Sequence, residues 1–323
     1  MKYTQLGSTD LEVSRLCFGC WQLSPSFWGD VPVGPWADAV KTALDLGVNF
    51  FDTADAYGDG HAEIELGKLM KQEGFRDQMI IATKFFWNFT DGATRFPDTT
   101  HDYIIRACDA SLQRLQTDLI DLYQIHSWDA ITRPDEVARA FQTLKQQGKV
   151  RWFGVSNLNP EQMDLYGQHF EVSSLQPPYS LLDRGIEARE LPYCLHKNIG
   201  VINFSPLYRG LLGGRYTPDS VITGNRAKGK LFHGEGLRTI LAAVEEAKQI
   251  ATELDLTIAQ LAMRWTLTNP AITSAIAGVR TPEHITGTVK AADDVLPQAV
   301  WHQLAALFAK AKSEALSPAD AGR

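Results

Sequence analysis

Asn49-Phe50-Phe51-Asp52-Thr53-Ala54 decides how this chain folds. It is a short, mostly apolar run whose ionisable residue comes late, followed by a loop and a helical pattern over residues 61–73. Met79-Ile80-Ile81-Ala82-Thr83-Lys84 and Ile120-Asp121-Leu122-Tyr123-Gln124-Ile125-His126 repeat the arrangement, ahead of helical patterns over about residues 100–115 and 133–147. A βαβ series of this kind implies a parallel sheet with right-handed crossovers. All its strands point one way, so their C-terminal ends share a rim where residues distant in sequence meet, as in (β/α)8 barrels.

The rest of the chain supplies the remaining repeats. Residues 3–13 read as a hairpin around Gly7-Ser8-Thr9-Asp10, placed to cover the bottom of a barrel. A first strand over 15–21 ends near Gly19, and a helix over 35–46 has Trp36, Ala39, Val40, Ala43 and Leu44 on one stripe, with Gly47 as its C-cap. Later strands fall at 150–156, 174–176, 200–205 and 274–278, and helices at 160–167, 187–196, 257–268 and 282–290. Thr257 is an N-cap candidate, and a further amphipathic helix over 298–311 lies outside the barrel count. The expected architecture is one α/β domain over 1–323, a (β/α)8 TIM barrel with an N-terminal β-hairpin and additional C-terminal helices. No linker, low-complexity tract or short repeat divides it.

Composition narrows the partners. The 323 residues are 44% hydrophobic, enough for a large core, and carry a formal charge of −7. That charge disfavours a nucleic-acid surface, though it leaves room for a basic pocket around a phosphorylated ligand. The N-terminus Met1-Lys2-Tyr3-Thr4-Gln5-Leu6-Gly7 lacks the apolar core of a signal peptide, and nowhere do about 18 apolar residues run together to span a membrane. A cytoplasmic protein acting on a small molecule is expected, its oligomeric state open. Of Cys17, Cys20, Cys108 and Cys194, the first two form a C-x-x-C pair within a strand, where an offset of three puts them on opposite faces. They read as packing residues, and no metal site is expected.

Asp52, Tyr57, Lys84 and His126 are the polar residues at or just beyond strand ends. Singly, Asp52 could cap a turn, Lys84 could snorkel, His126 could be a satisfied core histidine and Tyr57 a loop residue. Together they make a mechanism. Tyrosine titrates near pH 10 and needs a cation to stabilise its phenolate, which Lys84 supplies. Asp52 keeps a buried Lys84 protonated. His126 donates to a carbonyl oxygen or shares a proton with Tyr57, giving two donors around one developing alkoxide.

The motifs that carry these residues, Gly47 through Gly58, Thr83-Lys84, Asp121 through His126 and Gly154-Val155-Ser156-Asn157, resemble those of the aldo-keto reductases in order and spacing, over nearly the whole chain. The resemblance implies a barrel that binds a nicotinamide dinucleotide, usually NADPH with NAD possible, and assigns a catalytic tetrad to Asp52, Tyr57, Lys84 and His126. It assigns the nicotinamide carboxamide to Ser156, Asn157 and Gln176, and the face of the ring to Phe204, where the family generally has tyrosine. Ser205, Leu207, Gly210 and Leu212 match pyrophosphate contacts in a clasp-like loop. Gly19, Cys20 and Trp21 match the first-strand motif. In the last-strand motif, Gly278, Arg280 and His284 are assigned to the cofactor, Arg280 to an adenosine 2'-phosphate. Gly287-Thr288 replaces the Glu-Asn pair that commonly grips the adenine, which leaves NADP-versus-NAD selectivity open.

The implied reaction is reversible hydride transfer between nicotinamide C4 and an aldehyde, ketone or sugar carbonyl, with Tyr57 as general acid. Trp21, Phe85, Phe86, Trp87, Phe89 and Trp128, with Trp28 and Tyr208 behind them, are candidates for the pocket wall, and residues 86–99 for a lid containing Asp91-Gly92 and Pro97. Two other readings stand beside this one. Some barrels of this type are regulatory partners of channels that keep the cofactor site. A lyase or isomerase using Lys84 as a Schiff-base nucleophile is the other, and it leaves Ser156, Asn157 and Gln176 without a purpose.

Overall fold

The computed structural model describes residues 1–89 and 95–317. Strands β1 (Tyr3–Gln5) and β2 (Glu12–Ser14) pair antiparallel as the N-terminal hairpin. Strands β3 (Leu16–Gly19), β4 (Phe50–Asp52) and β5 (Ile80–Phe85) follow, then a short antiparallel pair β6 (Trp87–Asn88) and β7 (Phe96–Pro97). Next come β8 (Ile120–Ile125), β9 (Val150–Ser156), β10 (Ser174–Gln176), β11 (Gly200–Asn203) and β12 (Ile272–Gly278). In the order β3-β4-β5-β8-β9-β10-β11-β12 the eight parallel strands close into a barrel, as expected from the sequence.

Helices α1 (Pro25–Trp28), α2 (Val33–Asp45), α3 (His61–Glu73), α4 (His101–Leu115), α5 (Pro134–Gln146) and α6 (Pro160–Gly167) cover the first part of the barrel. Helices α7 (Glu190–Lys197), α8 (Gly234–Glu253), α9 (Ile258–Thr268), α10 (Pro282–Val289) and α11 (Gln298–Leu316) complete it. Thr257 caps α9 in a capping box: its side chain accepts from Gln260 N at 3.2 Å, and Gln260 Oε1 accepts from Thr257 N at 2.8 Å.

Strand alternation divides the core. Phe18, Phe51, Ile81 and Tyr123 pack outward against helices, whereas Cys17, Phe50, Ala82 and Leu122 fill the barrel interior. Cys17 and Cys20 accordingly fall in different layers, both fully buried. Asp52, Lys84 and Gln124 stand two residues beyond Phe50, Ala82 and Leu122, so the same alternation turns them inward one layer higher. Leu6, Leu11 and Val13 of the hairpin close the interior from below.

Three segments depart from the sequence reading. The helix expected over 187–196 divides into a 3-10 turn, Gly185–Glu187, and α7. Strand β11 stops at Asn203 rather than 205, because Ser205 turns the backbone to φ 56°. The twenty-residue α8 falls where no helix is predicted. Its apolar stripe through Ile240, Leu241, Val244, Ala247, Ile250 and Ala251 has the helical period, but it begins at Gly234 without a side-chain cap.

The hairpin plug depends on Gly7. Its φ is 54°, and a Cβ there would overlap the backbone N of Gly200 and lie 2.7 Å from the carbonyl oxygen of Asn198. Gly7→Ala is therefore expected to lower unfolding free energy by roughly 2–3 kcal/mol, from backbone strain plus overpacking. Urea unfolding measures it, and parent-like stability would show that the hairpin is not tightly seated.

Candidate active site

Adjacent strands β4 and β5 carry Asp52 and Lys84 into the upper barrel, where both are buried. The Lys84 ammonium spends its three donors on Asp52 Oδ1 at 2.7 Å, the Thr53 carbonyl oxygen at 2.8 Å and the Tyr57 hydroxyl at 3.2 Å. Gln176 Nε2, at the end of β10, donates to the other carboxylate oxygen of Asp52 at 2.8 Å. The buried charge pair is thus fully hydrogen-bonded, the condition under which burial of two ions is tolerated.

Electrostatics set the proton inventory. Burial opposes the charge on Lys84, but Asp52 and Tyr57 outweigh it and raise its pKa, so the amine stays an ammonium. Burial pushes the Tyr57 phenol up to about 12; Lys84 pulls it down and Asp52 pushes it up. Lys84 therefore acts in the expected direction but does not win, and Tyr57 is protonated at neutral pH. Burial, then the Lys84 charge, pushes His126 down to about 3, leaving its imidazole neutral. The His126 and Tyr57 rings lie 5.9 Å apart at 78°, and among the described residues His126 Nδ1 has no hydrogen-bond partner. The His126 backbone carbonyl accepts from Asn157 Nδ2 at 3.2 Å.

From this cluster one continuous cavity of about 1050 Å³ runs outward along the rim. Tyr57, His126, Trp21, Phe27 and Trp87 line its inner end, with Arg95, which pairs with Asp59. Ser156, Asn157 and Gln176 line the next section: Ser156 Oγ donates to the Gln176 carbonyl at 2.8 Å, and Asn157 Nδ2 donates to Ser156 Oγ at 3.0 Å. Gly19, Phe204, Ser205, Leu207 and Gly210 continue the wall. A Cβ at Gly278 would displace the amide of Gln22, the far end of a flexible side chain. Arg280, His284, Gly287 and Thr288 form the outer end. Cys20, Lys84 and Leu212 are fully buried and do not line the cavity.

Several aromatic expectations are corrected. Phe85 packs on Tyr123 at 4.7 Å in the outer layer, and Phe86 lies edge-on to Trp87. Trp128 packs on Tyr166, and Tyr208 stacks on Phe232. Phe89 meets the Arg95 guanidinium rather than the cavity. Of the expected lid over 86–99, Asp91 and Gly92 lie outside the described residues. Sequence reasoning also missed Phe27, Arg95, Arg209, Arg215, Tyr216 and Arg226, all on the cavity wall. The four arginines at 209, 215, 226 and 280 make the outer half strongly cationic, and none forms an ion pair among the described residues. Burial lowers the Arg280 pKa, and the like charges of Arg226 and Arg215 lower it further. The density of arginine between 205 and 230 was the available signal. No group of three or more His, Cys, Asp or Glu side chains that could hold a metal occurs among the described residues. No helix among them is long and apolar enough to cross a membrane.

The Aldo/keto reductase family model matches residues 15–309. Aldo-keto reductase YhdN of Bacillus subtilis is 35% identical over 285 residues, covering 87% of this chain and 86% of that one. A protein described as a probable voltage-gated potassium channel subunit beta from Arabidopsis thaliana is 32% identical over 92% of each chain. Among solved structures, glycerol dehydrogenase AKR11B4 of Gluconobacter oxydans superposes with a TM-score of 0.87 at 30% identity, covering 99% of this chain and 98% of that one. With a closed barrel, a buried Lys-Asp-Tyr cluster at its rim and a family match over most of its length, the chain belongs to the aldo/keto reductases, oxidoreductases that reduce carbonyl groups with a nicotinamide dinucleotide.

Proposed function

We propose that this protein reduces aldehyde, ketone or sugar carbonyls with NADPH, with Tyr57 as the proton donor. The observation that carries the reading is the Tyr57 hydroxyl, hydrogen-bonded to a Lys84 ammonium that Asp52 neutralises, in a cavity also lined by four arginines that form no ion pair among the described residues. Such a cavity fits an elongated, phosphate-bearing dinucleotide. Ser156, Asn157 and Gln176 would hold its carboxamide and Phe204 its ring face. The backbone around Ser205, Leu207 and Gly210 would hold its pyrophosphate, and Arg280 a 2'-phosphate. When bound, the reduced nicotinamide supplies the hydride that the carbonyl carbon receives.

The chain supplies the proton and the field. Tyr57 gives its proton to the carbonyl oxygen, and Lys84 stabilises the phenolate left behind until solvent restores the proton. Asp52 keeps Lys84 charged, and Gln176 holds the second oxygen of Asp52. His126, neutral at working pH, offers a hydrogen bond to the same carbonyl oxygen without adding a charge beside Lys84. Trp21, Phe27 and Trp87 exclude water and present apolar faces suited to an aliphatic, aromatic or sugar-ring substrate.

Tyr57→Phe is expected to lower kcat by on the order of 10²–10⁴, with NADPH affinity within about threefold of the parent. Stopped-flow reduction and fluorescence titration check this. Unchanged turnover would remove Tyr57 from the chemistry, while tight NADPH binding without turnover of any aldehyde, ketone or sugar would favour a regulatory role. The reduction rate of a non-ionising aldehyde should also show no ionisation between pH 5 and 8. His126 gains a proton only near pH 3, and Tyr57 loses its own only near 12. A limb near pH 6.5 that disappears in His126→Asn would contradict this assignment. Finally, Arg280→Gln should raise KM for NADPH by on the order of tenfold while leaving that for NADH nearly unchanged. Equal effects on both would exclude a 2'-phosphate contact.

A further inference from the structure

Trp28 ends the short helix α1 and lines the cavity together with the arginine-rich segment that follows β11. Its indole is half-buried, and its Nε1 has no acceptor among the described residues, so ring contacts rather than a hydrogen bond hold it. On one side Trp21 lies edge-on at 5.2 Å. The other neighbours are cations: the Arg226 guanidinium is 5.3 Å from the ring centroid and that of Arg280 is 5.2 Å. Both distances fall within cation–π range, where tryptophan is the strongest aromatic acceptor.

These contacts join three elements that sequence separates. Trp28 follows β3, Arg280 follows β12, and Arg226 lies in the 3-10 turn Gly224–Lys228. The base of the segment from 205 to 232 is anchored where Tyr208 stacks on Phe232 and Arg209 lies over the same ring. Its far part is tied internally, by Arg226 donating to the Tyr216 hydroxyl at 2.6 Å, and meets Trp28 at the cavity wall. Arg226 and Arg280 repel each other, and no carboxylate pairs with either among the described residues. The electron-rich face of one indole is what gathers them.

We propose that Trp28 is a positioning residue that fastens this segment across the cavity through Arg226 and Arg280, and thereby sets how fast the dinucleotide leaves. The proposal rests on the reading of the cavity as a dinucleotide site. A ligand lying between the tetrad and Arg280 must pass beneath the Trp28–Arg226 contact, so release requires that contact to open. An anion between the two guanidinium groups removes their repulsion and tightens the same closure.

The test is the NADPH dissociation rate, read by stopped-flow loss of protein-enhanced nicotinamide fluorescence on mixing the complex with excess NADP. Trp28→Leu should speed release by on the order of tenfold, the worth of losing two partly desolvated cation–π contacts. Trp28→Tyr, which keeps an aromatic face, should stay within a few-fold of the parent. Arg226→Leu should accelerate release as well, and the double variant should add little beyond either single change. Release from Trp28→Leu at the parent rate, or full additivity with Arg226→Leu, would overturn the proposal while leaving the carbonyl-reductase reading intact. A parent protein that binds no NADPH would overturn both. Should Trp28→Leu melt well below the parent, Arg226→Leu on the surface segment decides the question by the same measurement.

Discussion

The buried ion pair between Lys84 and Asp52 is the interaction on which the rest of the site depends. Both groups are almost without solvent, and burying either alone would cost several kcal/mol. Their 2.7 Å contact, the Thr53 carbonyl and the Gln176 amide offset that cost and leave the third lysine proton aimed at Tyr57. Because the pair is charged yet dry, its field on the phenol is barely screened. Burial nonetheless dominates, and the tyrosine stays protonated rather than standing as a phenolate.

The barrel makes the pair possible by alternation. Phe50, Ala82 and Leu122 form an apolar interior layer, and the next inward positions on the same strands are Asp52, Lys84 and Gln124. Below them Leu6, Leu11 and Val13 close the floor, so the polar layer lies toward the open, upper end of the barrel. The hairpin seats there because Gly7 and Gly200 approach without side chains between them. A function at the top of the barrel therefore leans on two glycines at its bottom.

Much of this was legible in the sequence. The strand ends at Asp52, Lys84 and His126 announce themselves as apolar runs closed by one ionisable group, and β9 and β10 fall on their predicted limits. Helix α8 was not legible, since its start offers two glycines in place of a capping residue. Aromatic side chains misled for a related reason. Phe85 and Phe86 follow Lys84 more closely than Trp87 does, but only Trp87 reaches the cavity. Adjacent residues on an extended chain face opposite ways, and near a strand end the exact residue at which the backbone turns decides which one faces in.

The sequence by itself determined the barrel and the identity of its polar rim residues, because these follow from local periodicity and residue chemistry. Only the tertiary structure decided how they meet. It brought Gln176 to Asp52 across the barrel, left the imidazole of His126 uncharged, and gathered Arg215 and Arg226 near Arg280. It also set Trp28 between two guanidinium groups drawn from distant parts of the chain. Hydrogen bonding, desolvation and repulsion depend on distances between residues far apart in sequence, and those distances exist only once the barrel has closed.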